Sequence, residues 1–225
     1  MTQNPAKLTP AHLSALLCAR ICHDLVGPVS AMQTGLDLLE DKDNADLYDD
    51  AIELIKLGAG QAGAKLEFLR LALGAGGSAP GIIPVAELER LARGVYDDDK
   101  IKMHWNTQTD GLSKPAARVL LGLIMSATQT IPRGGNINIQ SREQDGEIVL
   151  SLVCEGPKAR LEDNIARTLA GAAPSGAFDG RTVQPFYCGM IAREAGGRVE
   201  TGCEGETVTF TAVLPSQTGA DTASV

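Results

Sequence analysis

Two long stretches of helical periodicity open this chain, and they constrain its fold more than anything that follows. From Leu13 the apolar residues recur as Leu17, Ile21, Leu25, Val29, Met32, Leu36 and Leu39, the three-and-four spacing of a helix with one buried face. Thr9 and Pro10 ahead of them offer an N-cap hydroxyl and a proline at the first helical position, so the helix is expected to run from there to about Leu39. Residues 40–46, acidic and containing Asn44, read as the turn of a helical hairpin. A second series follows in Leu47, Ala51, Leu54 or Ile55, Ala59, Ala62, Leu66, Leu69 and Leu73, with Gly58, Gly60 and Gly63 expected to permit close helix packing. Two helices of about thirty residues cannot bury their apolar faces as an isolated pair. The hairpin is therefore expected to dimerise into a four-helix bundle.

Within the first helix stands the run His23, Asp24, Leu25, Val26, Gly27 and Pro28. His23 is two residues from both Ile21 and Leu25, so at about 100° per residue it projects away from the apolar stripe, into solvent. Its face carries Arg20, Gly27, Ser30 and Thr34, mostly small, and another protein could approach the ring closely. Proline inside a helix costs about 3 kcal/mol and bends it, so Pro28 points to a use other than stability.

Residues 74–81, reading GAGGSAPG, have the composition of a linker and divide the chain into 1–77, 78–215 and a small polar tail, 216–225, expected to be disordered. Beyond the linker the periodicity changes. Residues 84–96 read as helix, 101–107 as strand and 114–131 as an apolar helix ending before Gly134 and Gly135. A hairpin follows, 136–141 turning through Gln144, Asp145 and Gly146 into 147–154. Helices are expected at 161–170 and 183–195, a loop at 171–180, and a closing strand pair at 198–202 and 206–214.

The segment from His23 to Pro28 resembles the phosphoacceptor box of two-component histidine kinases, written H-[DE]-L-x-x-P, in which the histidine carries a phosphoryl group. The later order of helices and strands resembles the ATP-binding domain of the same kinases, but the nucleotide motifs are altered. Leu120, Leu121, Gly122, Leu123, Ile124, Met125, Ser126 and Ala127 stand where the family has L-L-N-L-x-x-N-A, so both asparagine positions, at Gly122 and Ser126, lack their carboxamide; Pro132, Arg133, Gly134 and Gly135 follow as P-x-G-G. Where the family has D-x-G-x-G, Cys154 replaces the adenine-binding aspartate and Lys158 the second glycine. Gln184, Pro185, Phe186 and Tyr187 stand in place of the glycine-rich loop that closes over triphosphate.

A kinase-like hairpin that keeps its histidine, joined to a kinase-like sandwich without nucleotide chemistry, resembles the histidine phosphotransferases. The fold implied is α+β: a helical hairpin forming a dimeric four-helix bundle, followed by a degenerate histidine-kinase ATPase-like α/β sandwich. The resemblance implies His23 as phosphoacceptor with Asp24 in hydrogen-bond or acid–base support. It implies phosphoryl relay from the receiver domain of a hybrid histidine kinase to response-regulator receivers in a cell-cycle phosphorelay, with the magnesium ion supplied by the receiver and no intrinsic cofactor or ATP. Receivers are expected to dock over Arg20, Gly27, Ser30, Ala31 and Thr34. In kinases that are also phosphatases, the residue four after the histidine is polar and orients water; here it is Gly27. A scaffold that binds receivers without accepting phosphate remains the alternative.

Composition restricts the rest. A net charge of −8 and a pI near 4.9 argue against a nucleic-acid partner, and aromatics at 4% are too few for a base-stacking surface, so Trp105 reads as core. No uninterrupted run of about 18 apolar residues and no signal-peptide pattern is present, so a cytoplasmic protein without a membrane partner is expected. The five cysteines, Cys18, Cys22, Cys154, Cys188 and Cys203, lack a CxxC pair and read as reduced core thiols. Cys18, Cys22 and His23 diverge around the helix, which argues against zinc.

Overall fold

The computed structural model describes residues 8–40, 46–74 and 81–216. The expected hairpin turn, most of the linker and the tail lie outside the described residues. Helix α1 (Pro10–Glu40) and helix α2 (Tyr48–Ala72) form the hairpin. Thr9 caps α1, its Oγ1 accepting from the main-chain N–H of His12 at 3.2 Å. The two helices approach most closely at small residues. A Cβ on Gly35 would lie 2.7 Å from the Ala51 carbonyl, and one on Gly58 would lie 2.6 Å from the Pro28 carbonyl and 2.7 Å from Met32. Gly60 and Gly63, expected in the same role, instead lie exposed with nothing within 4 Å of an added Cβ. They fall on faces of α2 turned away from α1.

Only Pro28 and Gly35 of α1 are fully buried, although the helix is apolar around much of its circumference. Val26, Val29 and Leu36 stay exposed, at 61%, 48% and 53%, and share a face with Cys18 and Cys22. The expected stripe is thus split, with Leu17, Ile21, Leu25 and Met32 at least partly covered while Val29 and Leu36 face outward. By length and composition alone α1 could also cross a bilayer, although Arg20, His23 and Asp24 interrupt its apolar run. Its flank packs along α2.

The second unit is a two-layer α/β sandwich. It comprises β1 (Ile82–Pro84), α3 (Val85–Tyr96), β2 (Ile101–Thr107), β3 (Gly111–Ser113), α4 (Lys114–Thr130), β4 (Gly135–Gln144), β5 (Glu147–Glu155), α5 (Asp163–Leu169), α6 (Val183–Glu194), β6 (Arg198–Glu204) and β7 (Thr207–Pro215). The main sheet has the order β2-β4-β5-β7-β6, with β2 parallel to β4 and the other pairs antiparallel. Alternation in β5 sends Ile148, Leu150, Leu152 and Cys154 to the covered face, and α4, buried almost all round, forms the centre of the core. Asp145 and Gly146 both take positive φ, 53° and 76°, the two-residue turn expected between β4 and β5.

Two further sequence expectations need correction. Pro84 belongs to β1, not to the helix, and β1 pairs with β3 in a separate two-stranded sheet that three-residue segments gave no alternation to reveal. Of the cysteines only Cys154 and Cys188 are buried; Cys18, Cys22 and Cys203 are exposed, two on the outward face of α1 and one on edge strand β6. Trp105 is half-buried against the core, its indole nitrogen without a hydrogen-bond partner among the described residues.

The sandwich is tied to the hairpin at several points. Tyr187 of α6 donates to the main-chain carbonyl of Leu73 at 3.0 Å, and Arg118 of α4 in turn donates to the Tyr187 hydroxyl. Phe68 of α2 meets Tyr96 of α3 edge to face, with centroids 5.3 Å apart. These contacts set the sandwich beside the part of the hairpin that carries His23.

Candidate functional site

The imidazole of His23 is 81% exposed on α1, as its helical phase predicts, while the adjacent Asp24 side chain is only 16% exposed. Asp24 turns toward the sandwich and uses both oxygens. Its Oδ1 lies 3.2 Å from His23 Nδ1, and its Oδ2 accepts from Arg20 Nε at 2.9 Å. An ionised carboxylate has no proton to give, so in this pair the ring nitrogen donates. With the proton on Nδ1, the lone pair of the neutral ring is on Nε2, the outward nitrogen.

Arg20 is placed differently from the other residues of its predicted face. Its side chain is only 21% exposed, and its guanidinium reaches the main-chain carbonyl of Gly180, in the loop before α6, at 3.3 Å. It connects Asp24 to the sandwich. Gly27, Ser30 and Thr34 are exposed and Ala31 is half-buried, leaving a shallow surface of small side chains beside the histidine; the Thr34 hydroxyl donates to the Ser30 carbonyl.

Lys65, which sequence reasoning did not single out, completes the surroundings. Its ammonium donates to the main-chain carbonyl of Asp24 at 3.0 Å from across the hairpin. Arg20, Asp24 and Lys65 line a cavity of about 180 Å³ together with Phe68, Leu69, Val95 and Tyr96. Burial, and then the Asp24 charge, push the Tyr96 hydroxyl well above its usual range, so it remains protonated there. Pro28 was the available signal for Lys65, since it removes a helix N–H; the partner's identity required the register of the two helices.

At the altered nucleotide motifs, side chains of α6 lie directly on α4. Gln184 Nε2 donates to the Gly122 carbonyl at 2.8 Å, and the Ser126 hydroxyl lies 3.0 Å from that carbonyl and 3.3 Å from Gln184 Oε1. A Cβ at Gly122 would meet Cys188 Sγ at 2.8 Å. Cys154 is wholly buried, and burial pushes its thiol up to about 12, partly offset by a hydrogen bond with Thr130. Lys158 adopts φ 61°, the left-handed conformation favoured by glycine, and its main-chain N–H donates to Glu206 at 2.6 Å. Among the described residues no group of three or more His, Cys, Asp or Glu side chains could hold a metal ion.

A family model described as the histidine phosphotransferase C-terminal domain matches residues 85–207, which contain most of the sandwich. The chain is also 34% identical over 208 residues to Protein phosphotransferase ChpT of Brucella abortus (strain 2308), covering 92% of this chain and 98% of that protein. The chain belongs to the histidine phosphotransferase family. A solved structure of a bacterial phosphotransferase resembles it with a TM-score of 0.81 at 32% identity, covering 92% of this chain and 98% of that one. The architecture of this phosphotransferase, a long helical hairpin followed by an ATPase-like sheet domain, is therefore shared along nearly its whole length.

Proposed function

We propose that His23 is the phosphoacceptor of this histidine phosphotransferase, and that it carries phosphoryl groups from the receiver domain of a hybrid histidine kinase to response-regulator receivers. The observation that carries this reading is the exposed His23 ring, bonded through Nδ1 to a carboxylate whose other oxygen is held by Arg20. The Nε2 lone pair attacks the phosphorus of a receiver's aspartyl phosphate, the P–O bond to that aspartate breaks, and its carboxylate leaves with the electron pair. Nδ1 keeps its proton throughout. The ring gains a positive charge, which the Asp24 carboxylate offsets, and the reverse sequence delivers phosphate to the next receiver.

The receiver supplies the magnesium ion, and receivers dock over the small residues Gly27, Ser30, Ala31 and Thr34. The bundle is a homodimer acting in the cytoplasm, in a cell-cycle phosphorelay, without ATP. Support for the dimer comes from the exposed Val26, Val29 and Leu36 stripe, and support for the absence of ATP from the Gln184 side chain seated on Gly122.

The test is to incubate the protein with a phosphorylated receiver and look for acid-labile phosphate on His23. His23→Ala should abolish the label and relay to a second receiver while leaving receiver binding nearly intact, because an exposed helical position tolerates alanine. Relay by the mutant would place the acceptor elsewhere, and receiver binding by wild type without label would support a scaffold.

A further inference from the structure

Pro28 leaves an electrostatic consequence one helical turn back. In an α-helix the carbonyl of residue 24 accepts from the N–H of residue 28, but proline has no N–H, and its ring crowds the same carbonyl. The deprived acceptor is the carbonyl of Asp24, the residue beside the exposed histidine. The Lys65 ammonium donates there at 3.0 Å. Both ends of Asp24 are thereby held from outside the α1 main-chain ladder, the carboxylate by Arg20 and His23 and the carbonyl by Lys65.

The contact depends on how the two helices meet. Pro28 is buried, and α2 comes close enough to graze its carbonyl only because position 58 is glycine. Lys65 lies seven residues farther along α2, about 10.5 Å of rise, against about 6 Å from Pro28 back to Asp24, and its long side chain spans the difference. A lysine stem is long enough to cross the seam with its charge intact, and hydrogen bonds from charged donors are stronger than neutral ones.

We propose that Lys65 is a positioning residue for phosphotransfer: it replaces the helix N–H that Pro28 removes, and so fixes the main chain of Asp24 such that Oδ1 holds the proton of His23 on Nδ1. This rests on the reading of His23 as phosphoacceptor. Lys65 touches neither the phosphoryl group nor the imidazole. Its effect passes through Asp24, and its necessity is created by Pro28.

That dependence gives a decisive comparison. Lys65→Met, Lys65→Arg, Pro28→Ala and the double variant Pro28→Ala, Lys65→Met are compared by transfer from a receiver phosphorylated with acetyl phosphate and by the ¹⁵N shifts of His23 in the free protein. The shifts report the ring tautomer without any partner. Lys65→Met should lower transfer about tenfold, since misplacement of a reacting group is costly, and should reduce the Nδ1–H population. Lys65→Arg should restore both. Alanine at 28 returns the missing N–H, so in that background removing Lys65 should cost no further transfer or tautomer preference.

Equal losses from Lys65→Met in both backgrounds, or unchanged tautomer and rate in the single variant, would overturn the proposal. Should Lys65→Met fail to fold, the double variant supplies the same comparison against Pro28→Ala alone; a further loss there would count against it. Failure of His23 as acceptor would appear as relay by His23→Ala, whereas failure of the Lys65 assignment would appear in the tautomer measurement, so the two are distinguishable.

Discussion

The Gln184 side-chain amide donates to the Gly122 carbonyl at 2.8 Å, joining α6 to α4. Beside this bond, Cys188 Sγ lies 2.8 Å from where a Cβ on Gly122 would stand. Gly122 is therefore a packing position. Gln184, Ser126 and Cys188 satisfy and fill the surface that an asparagine at 122 would need in order to turn toward a ligand.

Gly122→Asn should accordingly destabilise the protein without conferring ATP binding. The added side chain enters a packed seam between two helices, and overpacking of this kind costs about 1–3 kcal/mol. A lower urea midpoint at unchanged m-value, with no heat of ATP binding in calorimetry, is the expected result. An unchanged midpoint would mean that α6 yields easily, and measurable ATP binding would mean that the site is only masked.

Much of this arrangement was legible in the residues because long helices and alternating strands have strong periods. The β4–β5 hairpin could be placed because Ile137 and Ile139 alternate with polar residues and Asp145-Gly146 specifies the turn. The β1–β3 pair could not, since Ile82–Pro84 and Gly111–Ser113 are each shorter than two alternations. On α1, apolar residues cover more than one face, so periodicity alone did not distinguish Leu25, which is partly covered, from Val29 and Leu36, which are exposed. His23 and Asp24 were found from a local motif. Lys65 and Gly180 are joined to it only by hairpin register and by the seating of α6, which no local pattern encodes.

The outward stripe of α1 leads to a second expectation. Val26, Val29 and Leu36 share a face with Cys18 and Cys22, and a homodimer would cover them. Leu36→Glu places a charge on that stripe, and light scattering at tens of micromolar should then report mainly the 23.6 kDa monomer in place of a dimer. Alkylation gives an independent readout. Cys203 should react readily, Cys154 and Cys188 should resist until unfolding, and Cys18 and Cys22 should react faster in Leu36→Glu than in wild type. Equal rates at Cys18 and Cys22 in the two proteins would place the interface elsewhere.

Gly27 supports the last expectation, which concerns hydrolysis. In kinases that are also phosphatases, the residue four after the histidine carries a polar side chain that orients water. At Gly27 no such group exists, and an added Cβ would have nothing within 4 Å. The space is open, so Gly27→Thr should fold normally and gain a few tenths of a kcal/mol from exchanging glycine within a helix. With His23 intact, loss of phosphate from a receiver mixes hydrolysis with backward transfer. Placing the substitution in a His23→Ala background isolates hydrolysis. The His23→Ala protein should leave a receiver's free-phosphate release at its intrinsic rate, and His23→Ala with Gly27→Thr should raise it if the hydroxyl reaches the in-line water. Accelerated release by His23→Ala alone would show that another group already orients water, and the argument from Gly27 would then fail.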